Sequence, residues 1–292
     1  VMVKGKPFVK WAGGKRQIID KLLTYVPDNY NCYYEPFIGG GALFFELSPS
    51  KAVINDSNEE LMNVYRVLCS HDKYSKMCKV LNDYEANNCE KFYYEIRNKD
   101  KEASFKRLSD YKRAARTIYL NKSCFNGLYR VNKKGYFNVP YNKKDKINTY
   151  DGANLITINI LLSLNDITIR CCDFELAVED AKEGDFVYFD PPYDSDNGVF
   201  NSYTEEGFGK DEQRRLADVF KKLDKKGVKV MLSNHNTDLV NELYKDYNIH
   251  VIEAKRSINS KGNKRGRVEE VIITNYVNNR DINDMDLENS EN

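Results

Sequence analysis

Short apolar runs that end in turn-forming or acidic residues recur along the chain, with helical patterns between them. Runs of this length and ending are typical of buried or half-buried strands. The five runs are Cys32–Tyr34, Ala52–Ile54, Ile167–Cys172, Phe186–Phe189 and Val228–Leu232. The helical patterns cover Arg16–Tyr25, Leu43–Leu47, Glu60–Leu68, Glu212–Leu223 and Thr237–Tyr244. This alternation predicts an α/β sheet with helices on both faces and ligand binding beyond the carboxyl ends of its strands.

One segment interrupts the alternation. Residues 61–146 are polar, tyrosine-rich and helical in pattern, and two short stretches near their end, Asn126–Arg130 and Lys133–Phe137, predict a hairpin with a glycine near its turn. We therefore expect a mostly helical inserted module at residues 61–146, within a discontinuous domain of residues 1–60 and 147–278. Residues 279–292 are acidic, and we expect them to form a disordered tail.

Charge is segregated along the chain, although its 45 basic and 44 acidic residues almost cancel. Residues 101–146 hold 13 basic and 3 acidic side chains, and residues 255–267 hold 6 basic side chains and no acidic one. Residues 281–292 hold 5 acidic side chains and no basic one. The two basic stretches are suited to face phosphate groups, because a nucleic-acid surface is a local property and not one of net charge.

The cysteine and histidine patterns favour a reduced compartment without bound metal. The 7 cysteines are odd in number and contain no CxxC spacing, and the 3 histidines are scattered. The first residues lack the apolar run of a signal peptide, and no apolar stretch is long enough to cross a membrane. We expect a soluble protein of the cytoplasm.

The segment Asp190-Pro191-Pro192-Tyr193 follows a hydrophobic strand and is the most informative motif in the chain. Its two prolines fix an extended backbone. An exocyclic aromatic amine is a poor nucleophile because its lone pair is delocalised into the ring, and the Asp190 carboxylate and Pro191 carbonyl can each accept one of its N–H groups. Tyr193 offers a ring face on which a base can stack. The alternative is a plain strand-ending turn in which Tyr193 only packs.

A second motif, EPFIGGGA at Glu35–Ala42, places glycines at a strand-to-helix turn, where the backbone can approach a ligand closely. Phe44 stands where a dinucleotide fingerprint needs another glycine, which disfavours hydride transfer. Asp56 ends the next predicted strand, where an acid can accept hydrogen bonds from ribose hydroxyls. The alternative for Asn55, Asp56 and Ser57 is capping of the following helix.

A third motif, KWAGGK, covers Lys10–Lys15. Val9 and Arg16 stand where a phosphate loop needs glycine and Ser or Thr, so ATP hydrolysis is disfavoured. Trp11, the single tryptophan, either packs in the core or lines a pocket, and Lys15 either lies in solvent or faces a ligand carboxylate.

Two further predicted strands end in polar pairs. Asp173 with Phe174 is suited to meet an adenine by a hydrogen bond and a ring contact, and Ser233 with Asn234 ends the other strand. Taken singly, each pair is more typical of a turn than of a binding site.

Together the chain resembles the Dam-type adenine DNA methyltransferases, which include the modification enzymes of GATC restriction systems. The resemblance runs from Phe8 to Tyr276, and it rests on five segments in the same order: KWAGGK, EPFIGGGALFFEL, VINDSN, FNGLYRVNKKGYFNVPY and DFVYFDPPY. This order is the alpha arrangement of amino-methyltransferases. It implies a Rossmann-like sheet that binds S-adenosylmethionine, and methyl transfer to N6 of a flipped adenine in duplex DNA, in GATC.

The resemblance also implies residue roles. Lys15 would lie near the methionine carboxylate, Asp56 would hold the ribose, and Tyr193 would stack on the flipped adenine. The implied catalytic residues are Asp190, Pro191, Pro192 and Tyr193. The implied cofactor-binding residues are Trp11, Lys15, Phe37, Gly39, Gly41, Asp56, Asp173, Phe174 and Asp190.

In the inserted module, the resemblance implies a base-reading hairpin. Arg130 is suited to bind guanine in the major groove through two hydrogen bonds, and lysines including Lys143 and Lys144 would hold phosphates. The implied DNA-binding residues are Lys122, Asn126, Leu128, Arg130, Lys133, Lys134 and Pro140.

Two alternatives stay open on the sequence. Another amino-methyltransferase, acting on N4 of cytosine, on RNA adenine or on a protein glutamine, needs a similar catalytic motif, although Asp190 in place of Ser favours adenine. A catalytically silent DNA-binding relative is the second alternative. As partners we expect double-stranded DNA and a cognate restriction endonuclease, without a membrane or a metal, and we expect a monomer.

Overall fold

The computed structural model of the protein describes residues 4–15, 18–194, 208–254 and 268–277. This part of the chain contains ten α-helices and seven β-strands. The helices are α1 (Ile19–Tyr25), α2 (Ala42–Leu47), α3 (Glu59–Leu68), α4 (His71–Ala86), α5 (Glu90–Asn98), α6 (Asp110–Ser123), α7 (Gly152–Leu164), α8 (Phe174–Ala177), α9 (Lys210–Lys225) and α10 (Asp238–Leu243). The strands are β1 (Tyr33–Glu35), β2 (Lys51–Asn55), β3 (Asp166–Arg170), β4 (Phe186–Phe189), β5 (Lys229–His235), β6 (Asn248–Ala254) and β7 (Val268–Thr274).

Helices alternate with strands that pair in parallel within each unit, which confirms the predicted α/β fold class. The five predicted strands are β1 to β5, and their bounds shift by no more than a few residues. The sequence pattern did not predict β6 and β7. These strands pair antiparallel with each other, and β7 pairs antiparallel with β5, so they depend on contacts between distant segments that leave little local signal.

The first compact unit comprises residues 4–14 and 38–174. Its strands β2 and β3 pair in parallel, with Ala52 opposite Ile167 and Ile54 opposite Ile169. Helix α3 packs against α4, α6 and α7. The division of the chain at residues 60 and 147 stays a prediction.

Local sequence explains where α3 begins. The Asn58 side chain accepts a hydrogen bond from the Leu61 N–H at 2.9 Å, which satisfies one of the free donors of the first turn. Glu59 and Glu60 in the first turn and Arg66 in the last turn complement the helix dipole. The suggestion that Asn55, Asp56 or Ser57 caps this helix is therefore wrong.

The tyrosine-rich segment of the first unit forms helices α4 to α6 and then a hairpin, residues 124–141. Antiparallel bridges join Cys124 to Tyr141 and Val131 to Phe137, and Gly135 has a φ of 76° at the turn, which confirms the predicted hairpin. Tyr93 is fully buried, and its hydroxyl donates to the Val139 carbonyl at 2.8 Å. Tyrosine hydroxyls thus tie the hairpin to the helices beneath it.

A buried ion pair connects α6 to the same hairpin. The Arg116 guanidinium lies 2.9 Å from the Asp100 carboxylate, and only 5% and 9% of their side chains are exposed. Asp100 also accepts the Phe137 N–H at 2.7 Å, while Arg116 donates to the Ile96 carbonyl at 2.9 Å. The pair therefore fixes the hairpin backbone through one carboxylate.

The second compact unit comprises residues 15, 18–37, 175–194, 208–254 and 268–277 among those described. Strand β4 pairs in parallel with β1 on one side and with β5 on the other. The apolar face of α9, which includes Leu216 and Phe220, is buried, and α9 packs against β5. Phe186 and Tyr33 are fully buried neighbours on β4 and β1. This packing fixes the carboxyl end of β4, which leads into the Asp190–Tyr193 motif.

We predict that Asp100→Ala destabilises the protein by about 3–5 kcal/mol, because it leaves the Arg116 charge buried without its partner. Urea denaturation measures this as a lower free energy of unfolding. The matched control is Lys51→Ala, which removes the exposed pair between Lys51 and Asp166 at 3.3 Å. Such exposed pairs contribute little, so an equal effect of the two substitutions contradicts the prediction.

Candidate active site and nucleic-acid interface

The Asp190–Tyr193 motif lies directly after β4, in the second unit. The Asp190 carboxylate forms an ion pair with the Lys15 ammonium at 2.8 Å, and the Ser233 hydroxyl donates to Asp190 Oδ1 at 3.0 Å. Tyr188 lies on β4 with its hydroxyl 2.9 Å from Ser233 Oγ. The carboxylate is therefore held in one orientation at the end of the strand.

Tyr193 lies among charged groups and does more than pack. The Lys15 ammonium lies 3.9 Å from the centre of its ring and also donates to its hydroxyl. The Tyr193 hydroxyl donates in turn to Glu270 Oε2 at 3.1 Å, and the His235 ring meets the Tyr193 ring edge-to-face at 4.8 Å. Lys15 is buried, so the suggestion of a lysine in solvent is wrong.

Buried amides hold the loop that contains the two prolines. The Gln213 side chain of α9 donates to the Pro192 carbonyl at 2.9 Å and accepts from Asn234 at 3.0 Å. Asn234 Oδ1 accepts the Asp194 N–H at 2.9 Å. The end of β5 and helix α9 thus fix the path of the chain after Asp190.

Burial controls the protonation of this cluster. Burial raises the pKa of Asp190 above its usual value, and the Lys15 ammonium opposes that rise. Burial and the nearby carboxylate of Asp190 hold the pKa of Tyr193 well above its usual value. At neutral pH the tyrosine is a neutral ring with a hydroxyl donor.

Phe37 is the other predicted cofactor residue of the second unit. Its ring meets Phe189 edge-to-face at 6.3 Å and Phe208 at 5.7 Å. Phe37 is half-buried, so part of its ring stays accessible. It therefore forms an apolar wall beside β4, the strand that precedes the Asp190–Tyr193 motif.

The glycine turn lies in the first unit, before α2. Gly39 and Gly41 have φ values of 46° and 73°, in the left-handed region that favours glycine. A Cβ on Gly39 would lie 2.7 Å from Trp11 Cδ1, so the Trp11 ring packs directly on the turn. The Tyr65 hydroxyl donates to the Gly39 carbonyl at 3.0 Å. Trp11 is only half-buried, so it is not a core residue.

Asp56 is joined to the same turn. Its Oδ2 accepts the Gly39 N–H at 3.1 Å, and its Oδ1 accepts the Asn58 N–H at 2.9 Å. Burial raises the pKa of Asp56 to about 6, against the opposing effect of these backbone donors. The structure thus brings together Trp11, Gly39 and Asp56, as the sequence predicts. The Asp56 carboxylate titrates about one pH unit below neutrality.

Asp173 follows β3, the parallel neighbour of β2. The Asn55 side chain fixes this position, because it accepts the Cys172 N–H at 2.9 Å and donates to the Cys172 carbonyl at 3.0 Å. Asp173 is exposed, whereas Phe174 is buried at the start of α8. Asp56 and Asp173 therefore follow the carboxyl ends of adjacent strands.

The predicted DNA-binding residues all lie in the first unit, in or beside the hairpin. Asn126, Arg130 and Pro140 are exposed, and the Pro140 carbonyl accepts the Phe125 N–H at 2.8 Å. The remaining exposed members are Leu128, Lys133, Lys134, Lys143 and Lys144, while Lys122 on α6 is half-exposed. The hairpin therefore presents a basic and polar surface.

Arg130 is already oriented within the hairpin. Its Nε donates to Asn138 Oδ1 at 2.7 Å, and its Nη2 donates to the Asn138 carbonyl at 3.3 Å. The sequence did not single out Asn138. Its position across a predicted turn from Arg130 is the signal that could have identified it.

Two of the charged segments singled out in the sequence are not among the described residues. The basic stretch 255–267 and the acidic tail lie outside the described residues. No disulfide joins the seven cysteines, all of which lie in the described part of the chain. The described residues contain no cluster of His, Cys, Asp and Glu suited to a metal ion. Among the same residues, no helix combines the length and apolar character that a membrane span needs.

Similar proteins were found over nearly the whole chain. The Type II methyltransferase M1.LlaDCHI of Lactococcus lactis is 48% identical over 275 residues, which cover 94% of this chain and 96% of that relative. The Type II methyltransferase M.MjaIII of Methanocaldococcus jannaschii is 42% identical over 292 residues, with 93% and 99% covered. The DNA adenine methylase of Escherichia coli K12 is 31% identical over 275 residues, with 93% and 95% covered.

A family described as D12 class N6 adenine-specific DNA methyltransferase matches residues 11–258. The matched range includes Trp11–Lys15 of the KWAGGK motif, the glycine turn, the hairpin and the Asp190–Tyr193 motif. Together with relatives that cover more than nine-tenths of the chain, this match shows that the chain belongs to the D12 class of N6 adenine-specific DNA methyltransferases.

Proposed function

We propose that this protein transfers a methyl group from S-adenosylmethionine to N6 of a flipped adenine in duplex DNA, and that GATC is its target sequence. The observation that carries the proposal is the fixed acceptor at the end of β4. Asp190 is oriented by Lys15 and Ser233, and an aromatic ring, Tyr193, lies in the same cluster. An acceptor and a stacking face are what a neutral exocyclic amine needs from an enzyme.

The residues of the glycine turn fit the proposed cofactor. Gly39 has no Cβ, so the half-buried Trp11 ring packs directly against its backbone. Asp56 offers a carboxylate to ribose hydroxyls, and Asp173 lies after the neighbouring strand. In the second unit, we assign Lys15 and Phe37 to the same cofactor. When bound, S-adenosylmethionine supplies a methyl group on a positively charged sulfur.

The residues of the motif then act on the target amine. Asp190 accepts one N–H group and the Pro191 carbonyl accepts the other, which draws the nitrogen lone pair out of the ring and toward the methyl carbon. The amine gains the methyl group and then loses one proton. Because burial raises the pKa of Asp190, its carboxylate is suited to accept that proton. Pro192 keeps the acceptors fixed, and Tyr193 stacks on the base.

The hairpin is the proposed DNA-binding surface. Adenine inside a duplex hides its amine, so it must rotate out of the stack before it reaches Asp190. Lys133, Lys134 and their neighbours hold phosphates, which adds affinity without sequence information. Arg130 is the proposed guanine reader, with Asn126, Leu128 and Pro140 beside it.

The partners follow from this assignment. Two of the similar proteins are named as Type II methyltransferases. We propose that this protein protects DNA from a restriction endonuclease of the same specificity. We propose that it acts as a monomer in the cytoplasm, where genomic DNA is available, and that it needs no metal, since the sulfonium is itself a good leaving group.

The decisive experiment incubates the protein with methyl-labelled S-adenosylmethionine and duplexes that either contain or lack GATC. We expect label on N6 of adenine in GATC only. Asp190→Ala is expected to slow transfer by about 10²- to 10³-fold or more, because one fixed acceptor of the transition state is lost. Label on adenine outside GATC contradicts the proposed target sequence. Formation of N4-methylcytosine contradicts adenine as the target base. Normal transfer by Asp190→Ala contradicts the proposed role of Asp190.

Cofactor affinity is expected to fall at acidic pH. The folded-state pKa of Asp56 is raised from 3.8 to about 6, and ribose hydroxyls bind its ionised form, so affinity weakens by roughly tenfold per pH unit below about 6. The same raised pKa means that ionisation of Asp56 lowers the stability of the ligand-free protein as pH rises through about 6. Calorimetric titration with S-adenosylhomocysteine between pH 5 and about 8 measures the affinity.

Asp56→Asn is expected to remove most of this pH dependence, since an amide does not titrate in this range. The matched control is Asp151→Asn at the start of α7, where Asp151 accepts the Ala153 N–H at 3.0 Å. The control is expected to keep the pH dependence of the wild type. A wild-type affinity that is flat across pH 6 contradicts the ribose role of Asp56.

Arg130→Ala is expected to weaken binding by about 1–3 kcal/mol and to relax specificity at a single guanine. Competition binding with duplexes that replace each base pair of GATC in turn measures this effect. The control is Lys133→Ala, which is expected to weaken binding equally on all sequences. Because one phosphate contact is lost, the slope of log affinity against log salt concentration is expected to become shallower by about one. An equal loss on all sequences for Arg130→Ala makes it a phosphate contact instead.

A further inference from the structure

The Trp11 ring lies between the glycine turn and the hairpin. On one side, its Cδ1 is 2.7 Å from the position of a Cβ on Gly39. On the other side, its ring meets the Tyr129 ring at a centroid distance of 5.1 Å and an angle of 33°. One aromatic side chain therefore contacts both a segment assigned to the cofactor and a segment assigned to DNA.

Tyr129 is anchored in the hairpin. Its ring meets Phe137, on the opposite side of the hairpin turn, edge-to-face at 5.5 Å. Beside it, a Cβ on Gly127 would lie 2.6 Å from Lys10 Cδ, so the backbone of the hairpin is packed against the residue that precedes Trp11. A shift of Trp11 therefore cannot leave the hairpin unchanged.

A second path runs back from Tyr129 to the glycine turn. The Asn58 side chain lies near the Tyr129 hydroxyl, where it opposes the rise in the pKa of Tyr129 that burial causes, and the Asn58 oxygen caps α3. The Asn58 N–H donates to Asp56, and Asp56 in turn accepts the Gly39 N–H. Tyr129 is thus connected to Gly39 once through Trp11 and once through Asn58 and Asp56.

We infer that Tyr129 is a positioning residue that couples cofactor binding at the glycine turn to DNA recognition by the hairpin. The inference rests on the proposed function of both segments. A cofactor held against Trp11 and Asp56 restricts both paths to Tyr129, so the hairpin reaches DNA with less conformational freedom left to lose. The coupling is reciprocal, because DNA on the hairpin restricts the same groups.

The test measures DNA affinity for a GATC duplex with and without S-adenosylhomocysteine. In the wild type we expect the cofactor product to tighten DNA binding by about 5- to 150-fold, and DNA to tighten its binding by the same factor. In Tyr129→Leu we expect each ligand to change the affinity for the other by no more than about twofold. Each ligand alone is expected to bind this variant much as it binds the wild type. Tyr129→Phe keeps the ring and is expected to retain part of the coupling.

Tyr136→Leu is the matched control, since Tyr136 belongs to the same hairpin and lies beyond the contacts of Tyr129 with Trp11 and Asn58. In Tyr136→Leu, S-adenosylhomocysteine is expected to tighten DNA binding by the same factor as in the wild type. Amide hydrogen exchange measures the effect of the cofactor product on the hairpin without DNA. S-adenosylhomocysteine is expected to slow exchange at Asn132 and Asn138, whose N–H groups donate across the hairpin, in the wild type and not in Tyr129→Leu.

The outcomes separate this inference from the proposed function. A wild type that binds both ligands without mutual effect overturns the coupling and leaves the methyltransferase assignment intact. Wild-type coupling that persists in Tyr129→Leu also overturns it. Failure of the wild type to bind S-adenosylhomocysteine at all overturns the proposed cofactor, and the coupling with it.

Discussion

Asparagine side chains hold the functional loops of this protein in place, and the positions of the site residues depend on that constraint. A loop beyond a strand end has no neighbouring strand to pair with its backbone, and a buried N–H or C=O without a partner costs free energy. An amide side chain offers one acceptor and two donors, so it can pair with both backbone groups of one residue. Asn121 does so for Lys10, and Asn55 for Cys172. Trp11 and Asp173 are the residues that immediately follow.

Local sequence was sufficient for the elements whose signals are local. The strand runs, the glycine turn and the hairpin were predicted because a buried strand, a positive φ and a tight turn each restrict nearby residue types. Glu270 could not be predicted in this way. It comes near Tyr193 only because β7 pairs antiparallel with β5, which sets His235 opposite Glu270. The cap of α3 was ambiguous because the local signal occurs at four consecutive residues. Each residue from Asn55 to Asn58 is a good cap, and only the geometry selects Asn58.

Lys15 shows how burial decides between two interpretations of one residue. The sequence alone allowed either a solvated lysine or a partner of a carboxylate. A buried ammonium needs an anion close by, because removal from water costs more than a single neutral hydrogen bond returns. The structure supplies the protein's own Asp190 at 2.8 Å. The proposed methionine carboxylate must therefore compete with Asp190 for the same ammonium. The proposed amine must likewise share Asp190 with Lys15, so the charge balance of the site has to change as ligands bind.

The three groups assigned to recognition and catalysis share one physical feature, which is that a fixed neighbour orients each of them before any ligand arrives. Ser233 orients Asp190, the backbone of Gly39 and Asn58 orients Asp56, and Asn138 orients Arg130. A side chain that is already held loses less freedom on binding, so more of its interaction energy remains for affinity or rate. Asn138 occupies Nε and one Nη of the guanidinium, which leaves the outer edge of Arg130 for the two acceptors of a guanine. Sequence motifs supply the reactive groups, while the hydrogen-bonding neighbours of those groups determine whether they are ready to act. Gly39, Asn58 and Asn138 lie inside the same motif segments, whereas Ser233 lies outside them.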